Sequence, residues 1–158
     1  MSTFYFHTEQ FLPISIETAW DFFSSPKNLA LITPPEMQFR ILTNFNDSEI
    51  YEGMLIEYKL KPLFGISVYW KTEICKVDKP RMFLDKQLKG PYKIWEHTHI
   101  FSKKENGILM KDQLKYQLPF GILGTLTHSL LVKKKVEGIF SYRKTILEKI
   151  FKENGNTR

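Results

Sequence analysis

His97 and His99, one residue apart, are the side chains of this sequence best placed to do chemistry. In an extended strand successive side chains point to opposite faces, so these two share one face. Two imidazoles on one face have a spacing compatible with metal ligation. Asp85 and Asp112 are carboxylates that neighbouring strands could bring to them. The same groups suit general acid–base work, because a histidine with a carboxylate partner titrates near neutral pH. No activated nucleophile accompanies them: the lone cysteine, Cys75, falls on the opposite face of its strand, and no serine elbow motif occurs. Catalysis at this place would rest on proton transfer alone. Two histidines on one strand face also arise without a metal, and neither a metal nor another cofactor is expected.

The elements that must position these residues follow from period and punctuation. Thr3–Leu12 is β-branched and aromatic, the pattern of a strand, and Pro13 ends it. Ser15 is a good N-cap for a helix over 16–23, where Ile16, Ala19, Trp20 and Phe23 share a face. Pro26 can open a second short helix through Ile32. From Met37 the period becomes two, giving strands at Met37–Asn44, Met54–Leu60, Ser67–Val77, Met82–Leu88, Tyr92–Lys103 and Ile108–Leu118. A last helix runs from Thr125 to Phe151 on an apolar stripe that includes Val132, Val136, Phe140 and Leu147. Six consecutive strands joined by short turns must form an antiparallel meander, and one long helix is left to cover a face.

Turn positions set the faces. A two-residue turn at Asn106-Gly107 pairs Glu105 with Ile108, which sets Phe101 opposite Asp112, His99 opposite Leu114 and His97 opposite Tyr116. A turn centred on Gly90 sets Trp95 opposite Asp85 and His97 opposite Phe83. A turn at 78–81 sets Ile74 opposite Asp85 and Thr72 opposite Gln87. One face then carries Trp70, Thr72, Phe83, Asp85, Gln87, Trp95, His97, His99, Asp112, Leu114 and Tyr116, with Tyr58 from an earlier strand. The other carries Lys71, Glu73, Glu96, Thr98, Lys111, Gln113, Lys115 and Gln117 and reads as the solvent side. Polar groups among rings on a buried face must bond one another, water or a ligand, since each costs about 1–3 kcal/mol unpaired. A few convergent polar groups in an aromatic concavity is the usual make-up of a ligand pocket.

Bulk properties narrow the classes. At 158 residues the chain is expected to be a single domain, 1–158. Aromatic residues make up 15% of it, more ring area than a small core needs, so some rings can line a cavity. One cysteine leaves no intrachain disulfide, the first residues lack the pattern of a signal peptide, and no apolar run reaches the ~20 residues of a membrane span. A cytoplasmic location is expected. The net charge of +6 gathers on Lys133-Lys134-Lys135 and Arg143-Lys144, which read as the solvated face of the last helix. No nucleic-acid motif accompanies it, and no nucleic-acid partner is expected. The apolar segments Lys61–Ile66 and Leu118–Leu126 read either as packing or as a gate making transient contact with an anionic membrane surface.

The order of elements, the run Gln10-Phe11-Leu12-Pro13-Ile14-Ser15 before Thr18-Ala19-Trp20-Asp21-Phe22-Phe23, the run Gly90 to Phe101 and the run Asp112 to Gly121 resemble the SRPBCC superfamily. That superfamily includes the StAR-related lipid-transfer domains, the birch-pollen-allergen proteins and the polyketide cyclases. The resemblance covers about residues 3–151 and is similar in detail to a bacterial ligand-binding subgroup. It implies an α+β helix-grip fold, a curved antiparallel sheet wrapped around the C-terminal helix, with a ligand held between them. The expected function is to bind or carry a hydrophobic small molecule, a lipid or polyketide-like compound. The ligand-binding residues expected are Tyr58, Trp70, Thr72, Phe83, Asp85, Gln87, Trp95, His97, His99, Asp112, Leu114 and Tyr116. Two other readings stay open: a cyclase or aromatase using His97, His99 and Asp112, and an adaptor without a true pocket.

Overall fold

The structure is a computed structural model that describes residues 2–45, 49–119 and 131–153. Strand β1 (Thr3–Leu12) ends where Pro13 offers no N–H to the ladder. Helix α1 (Ile16–Phe23) begins at Ser15, whose side-chain oxygen accepts the N–H of Thr18 at 3.0 Å and so satisfies a free donor of the first turn. Its Ile16, Ala19 and Trp20 are buried, and 3-10 turns follow at Pro26–Ala30 and Pro35–Met37. Then come β2 (Arg40–Ile41), β3 (Leu55–Leu60), β4 (Val68–Asp78), β5 (Met82–Lys89), β6 (Ile94–Lys104), β7 (Gly107–Gln117) and helix α2 (Lys133–Glu153). The seven strands form one antiparallel sheet in the order β1-β7-β6-β5-β4-β3-β2. The expected meander is β2 to β7, and β1 adds to its far edge along β7.

Several expected boundaries need correction. Of the strand expected over Met37–Asn44, only Arg40 and Ile41 pair. Before them Met37 closes a 3-10 turn and Gln38 turns left-handed at φ 45°. After them the N–H groups of Leu42 and Thr43 both converge on the Glu57 carbonyl, at 2.8 and 3.3 Å, which ends the alternation of a ladder. The described part of α2 begins at Lys133, after residues 131–132 in a wider π turn. The expected start at Thr125, and the part of the Leu118–Leu126 segment from 120 onward, lie outside the described residues.

Two hairpins pair two residues away from expectation. The β6–β7 turn is Glu105-Asn106, with Lys104 opposite Gly107 and Asn106 at φ 62°. Gly107 therefore stands in the strand rather than in the turn. A Cβ there would meet the Leu12 carbonyl oxygen at 2.3 Å and the Phe11 ring at 2.6 Å. Consequently His99 faces Asp112 directly, His97 faces Leu114 and Trp95 faces Tyr116. In the β5–β6 hairpin Asp85 faces His97 and Phe83 faces His99. The pairs Thr72–Gln87 and Ile74–Asp85 are as expected, and beyond them β4 bulges at Cys75.

A shift of two leaves every side chain on its face, because the period of a strand is two. Trp70, Thr72, Phe83, His97, His99, Phe101, Asp112, Leu114 and Tyr116 are all buried on the inner face. Lys71, Glu73, Lys111 and Lys115 lie half-buried on the outer one, where Lys111 pairs with Glu9 at 2.7 Å and Lys115 with Glu96 at 3.2 Å. Gln117 is the exception to its expected solvent face. It is buried where Thr3 of β1 and Ile94 of β6 flank it on both sides. Along α2, Val136 and Phe140 pack with Leu114 and Tyr116, while Leu147 and Phe151 join Trp20, Phe101 and Met110.

Candidate functional site

Between the inner face and α2 lies a cavity of about 150 Å³. Tyr58, Trp70 and Thr72 line it from β3 and β4, Phe83 and Asp85 from β5, and Trp95, His97 and His99 from β6. Helix α2 contributes Val136, Ile139, Phe140 and Arg143. The other expected ligand-binding residues stand elsewhere. Gln87 is held by the backbone of Tyr92, donating to its carbonyl at 2.6 Å and accepting its N–H at 3.2 Å. Leu114 and Tyr116 are packed against Val132, Val136 and Phe140 of the helix. Asp112 lies behind the histidines, because its strand is two residues nearer to them than the expected turn allowed.

The polar part of this wall is one connected cluster. His97 Nε2 donates to Asp112 Oδ1 at 2.8 Å, since a carboxylate can only accept. His99 Nε2 and Asp85 Oδ2 are 3.0 Å apart. The remaining ring nitrogens face the opposite carboxylates: His97 Nδ1 is 3.9 Å from Asp85 Oδ2, and His99 Nδ1 is 3.1 Å from Asp112 Oδ1 without hydrogen-bond direction. Each imidazole thus lies between two aspartates. His99 also lies against two rings, with Phe83 stacked at 4.1 Å and His97 tilted at 3.8 Å between centroids.

Burial and charge act in opposite directions here. Burial, helped by neighbouring His99, lowers the pKa of His97 below the ordinary histidine value despite Asp112. Burial acts likewise on His99, but Asp112 and Asp85 outweigh it and raise the pKa. Burial would raise Asp112, yet His97, His99 and Arg143 hold it well below the usual carboxylate range. Desolvation also pushes the Tyr58 hydroxyl, 3.2 Å from Thr72 Oγ1, far above its ordinary pKa.

Arg143, like Gln117, is buried against expectation. It was expected on the solvated face of a basic helix, but it is 8% exposed, with Nη1 3.7 Å from Asp112 Oδ1 and its guanidinium over the Phe140 ring. Among the described residues its Nε and Nη1, like Trp70 Nε1, have no hydrogen-bond partner. The signal was present in the spacing. Arg143 stands three residues after Phe140 and four before Leu147, inside the apolar stripe. Lys133 and Lys134, off that stripe, are exposed as expected.

No family model matches the sequence, and no curated protein is similar to it. Solved structures are similar in fold. A START superfamily protein from Mycobacterium smegmatis has a TM-score of 0.67 at 16% identity, over 94% of this chain and 97% of that one. Ginseng major latex-like protein 151 from Panax ginseng has a TM-score of 0.67 at 13% identity, over the same shares. Ara h 8.0201 has a TM-score of 0.60 at 15% identity, over 92% of this chain and 98% of its own. The chain has the helix-grip fold of these proteins. At these identities the likeness concerns the fold alone, and function has to be argued from the site. No helix among the described residues is long and apolar enough to cross a membrane.

Proposed function

We propose that this helix-grip protein binds an apolar small molecule in the cavity between sheet and helix, its polar end turned to His97, His99 and Asp85. The observation that carries this reading is the composition of the cavity wall. Rings and aliphatic side chains surround one compact polar cluster on a single side. Volume narrows the ligand: a cavity of roughly 150 Å³ suits a compact molecule of one or two rings or a short chain rather than a long acyl chain. Each 100 Å² of ligand hydrocarbon buried supplies about 2.5 kcal/mol before ordering costs, so the apolar wall dominates affinity. The exposed side chains of Phe64 and Ile66, on the loop beside cavity-lining Leu63, suit transient contact with a membrane surface during loading.

Native mass spectrometry of the purified protein, followed by NMR titration with 1-naphthol, tests the proposal. The expected result is a saturable shift of the Trp70, Trp95 and His97 resonances. Shifts confined to the protein surface would overturn it.

A second reading is favoured by one observation. His97 and His99 each hold a carboxylate of their own, Asp112 at 2.8 Å and Asp85 at 3.0 Å, and burial lowers the pKa of one while the aspartates raise that of the other, as a base and an acid in a proton-transfer enzyme of the cyclase kind require. It predicts a substrate whose turnover is lost in His97→Gln while its binding survives.

A further inference from the structure

We propose that Asp85, His97 and His99 form a binding site for a divalent first-row transition ion such as Zn²⁺, backed by Asp112. One donor atom of each of these three residues lies within 4.8 Å of the others. His99 Nε2 and His97 Nδ1 approach the same Asp85 oxygen, at 3.0 and 3.9 Å. Zinc binds such nitrogen and oxygen donors at about 2.0–2.2 Å, which sets ligand atoms some 3–3.5 Å apart around a tetrahedron. The three groups need only small side-chain adjustments to reach it. Two imidazoles and one carboxylate suit zinc, cobalt or iron(II) rather than magnesium or calcium, which prefer all-oxygen shells.

The surroundings are those of a ligand set rather than of a chance cluster. The His97 nitrogen that faces away from Asp85, Nε2, donates to Asp112 at 2.8 Å, and His99 Nδ1 lies 3.1 Å from the same oxygen without hydrogen-bond direction. A carboxylate behind a metal-binding histidine fixes ring orientation and tautomer. Here Asp112 does this for His97. With Nε2–H committed to Asp112, neutral His97 presents the bare lone pair of Nδ1 forward. Asp85, His97 and His99 line the cavity and Asp112 does not, so a bound ion has its fourth position open to the cavity. The ion would take the place of the proton shared by His99 and Asp85. Counting Arg143 and both aspartates, the occupied site carries one excess positive charge, which an anionic group on a molecule in the cavity would neutralise.

Full-length protein stripped with a chelator is equilibrated with Zn²⁺, Co²⁺, Mg²⁺ or Ca²⁺ and its metal content measured. The proposal expects one Zn²⁺ or Co²⁺ per chain, visible d–d absorption from bound Co²⁺, and no uptake of Mg²⁺ or Ca²⁺. Asp85→Asn and His99→Gln should each weaken Zn²⁺ binding at least 100-fold, Asp112→Asn about 10–100-fold, and the exposed His7→Asn not at all. Wild-type protein that takes up no ion at millimolar Zn²⁺ overturns the site, and so does uptake unchanged in both Asp85→Asn and His99→Gln. Should those variants fail to fold, paramagnetic broadening by Co²⁺ in the wild type decides. Resonances of Phe83 and Phe140 must broaden first, and broadening centred elsewhere rejects the site. Repeating the 1-naphthol titration on the stripped protein keeps this outcome separate from the ligand-binding proposal, which needs no metal.

Discussion

His97 Nε2 lies 2.8 Å from Asp112 Oδ1, and this bond ties β6 to β7 beneath the cavity with Arg143 of α2 close by. Asp112 is 3% exposed and is the counter-charge for the buried guanidinium. Removing one partner of a buried charged group costs about 3–5 kcal/mol, because the other charge stays behind unpaired. Asp112→Ala should lose stability in that range in urea unfolding of the metal-free protein. The double variant Asp112→Asn, Arg143→Met removes both charges and should recover more than half of the loss. A loss below about 1 kcal/mol for Asp112→Ala would mean that water already satisfies Arg143.

Affinity for an apolar ligand should depend on free volume more than on charge. Ile139 lines the cavity from α2 and is half-buried, so Ile139→Trp can fill the space from the helix side. A fall of at least tenfold in 1-naphthol affinity is expected, with the far-UV circular dichroism unchanged. The exposed Glu148→Gln on the same helix should leave affinity as it is. Equal affinity in Ile139→Trp would move the ligand out of this cavity.

At the β6–β7 hairpin the demand for glycine comes from β1 and not from the turn. Because a Cβ at Gly107 would meet the Leu12 backbone at 2.3 Å, Gly107→Ala should destabilise by about 1–3 kcal/mol even though it requires no positive φ. Asn106→Gly, at the position with φ 62°, should be neutral or slightly stabilising. Chemical denaturation of the two variants checks the order. A larger loss for Asn106→Gly would place the turn one residue later.

Glu49 provides a pH test outside the site. Lys79, and then the indole N–H of Trp20, hold its carboxyl below the ordinary glutamate value. A carboxylate depressed by folding contributes stability at pH above its unfolded pKa of about 4.3, and that contribution is lost as pH falls through the folded value. Glu49→Gln has no such titration. The stability gap between wild type and Glu49→Gln should therefore be constant above pH 5 and shrink towards pH 3. A gap that widens on acidification would show that Glu49 is not depressed in the folded protein.

Residue order and period determined the antiparallel meander, the covering helix and the assignment of residues to the two faces of the sheet. The physical reason is parity. A strand repeats every two residues, so hairpins that paired two positions away from expectation still left His97, His99, Asp112 and Trp95 on the inner face and Lys71 and Lys111 on the outer one. Parity does not fix which residues meet. That His99 faces Asp112 goes with Gly107 standing in β7 beside Leu12 of β1, strands distant in the chain, while Asp85 faces His97 through the separate β5–β6 hairpin. The meeting of both histidines with both aspartates needed both hairpin registers together, and the cluster took shape in the tertiary structure. Arg143 shows the same division. Its helical spacing put it on the apolar stripe, but its basic neighbours suggested solvent, and only the packing of α2 against His97 and Asp112 gave the inward guanidinium a counter-charge. Likewise the cavity exists because helix and sheet do not fill the space between them. Such a gap is a sum over side chains from four strands and four helical segments, and no local pattern in the sequence encodes it.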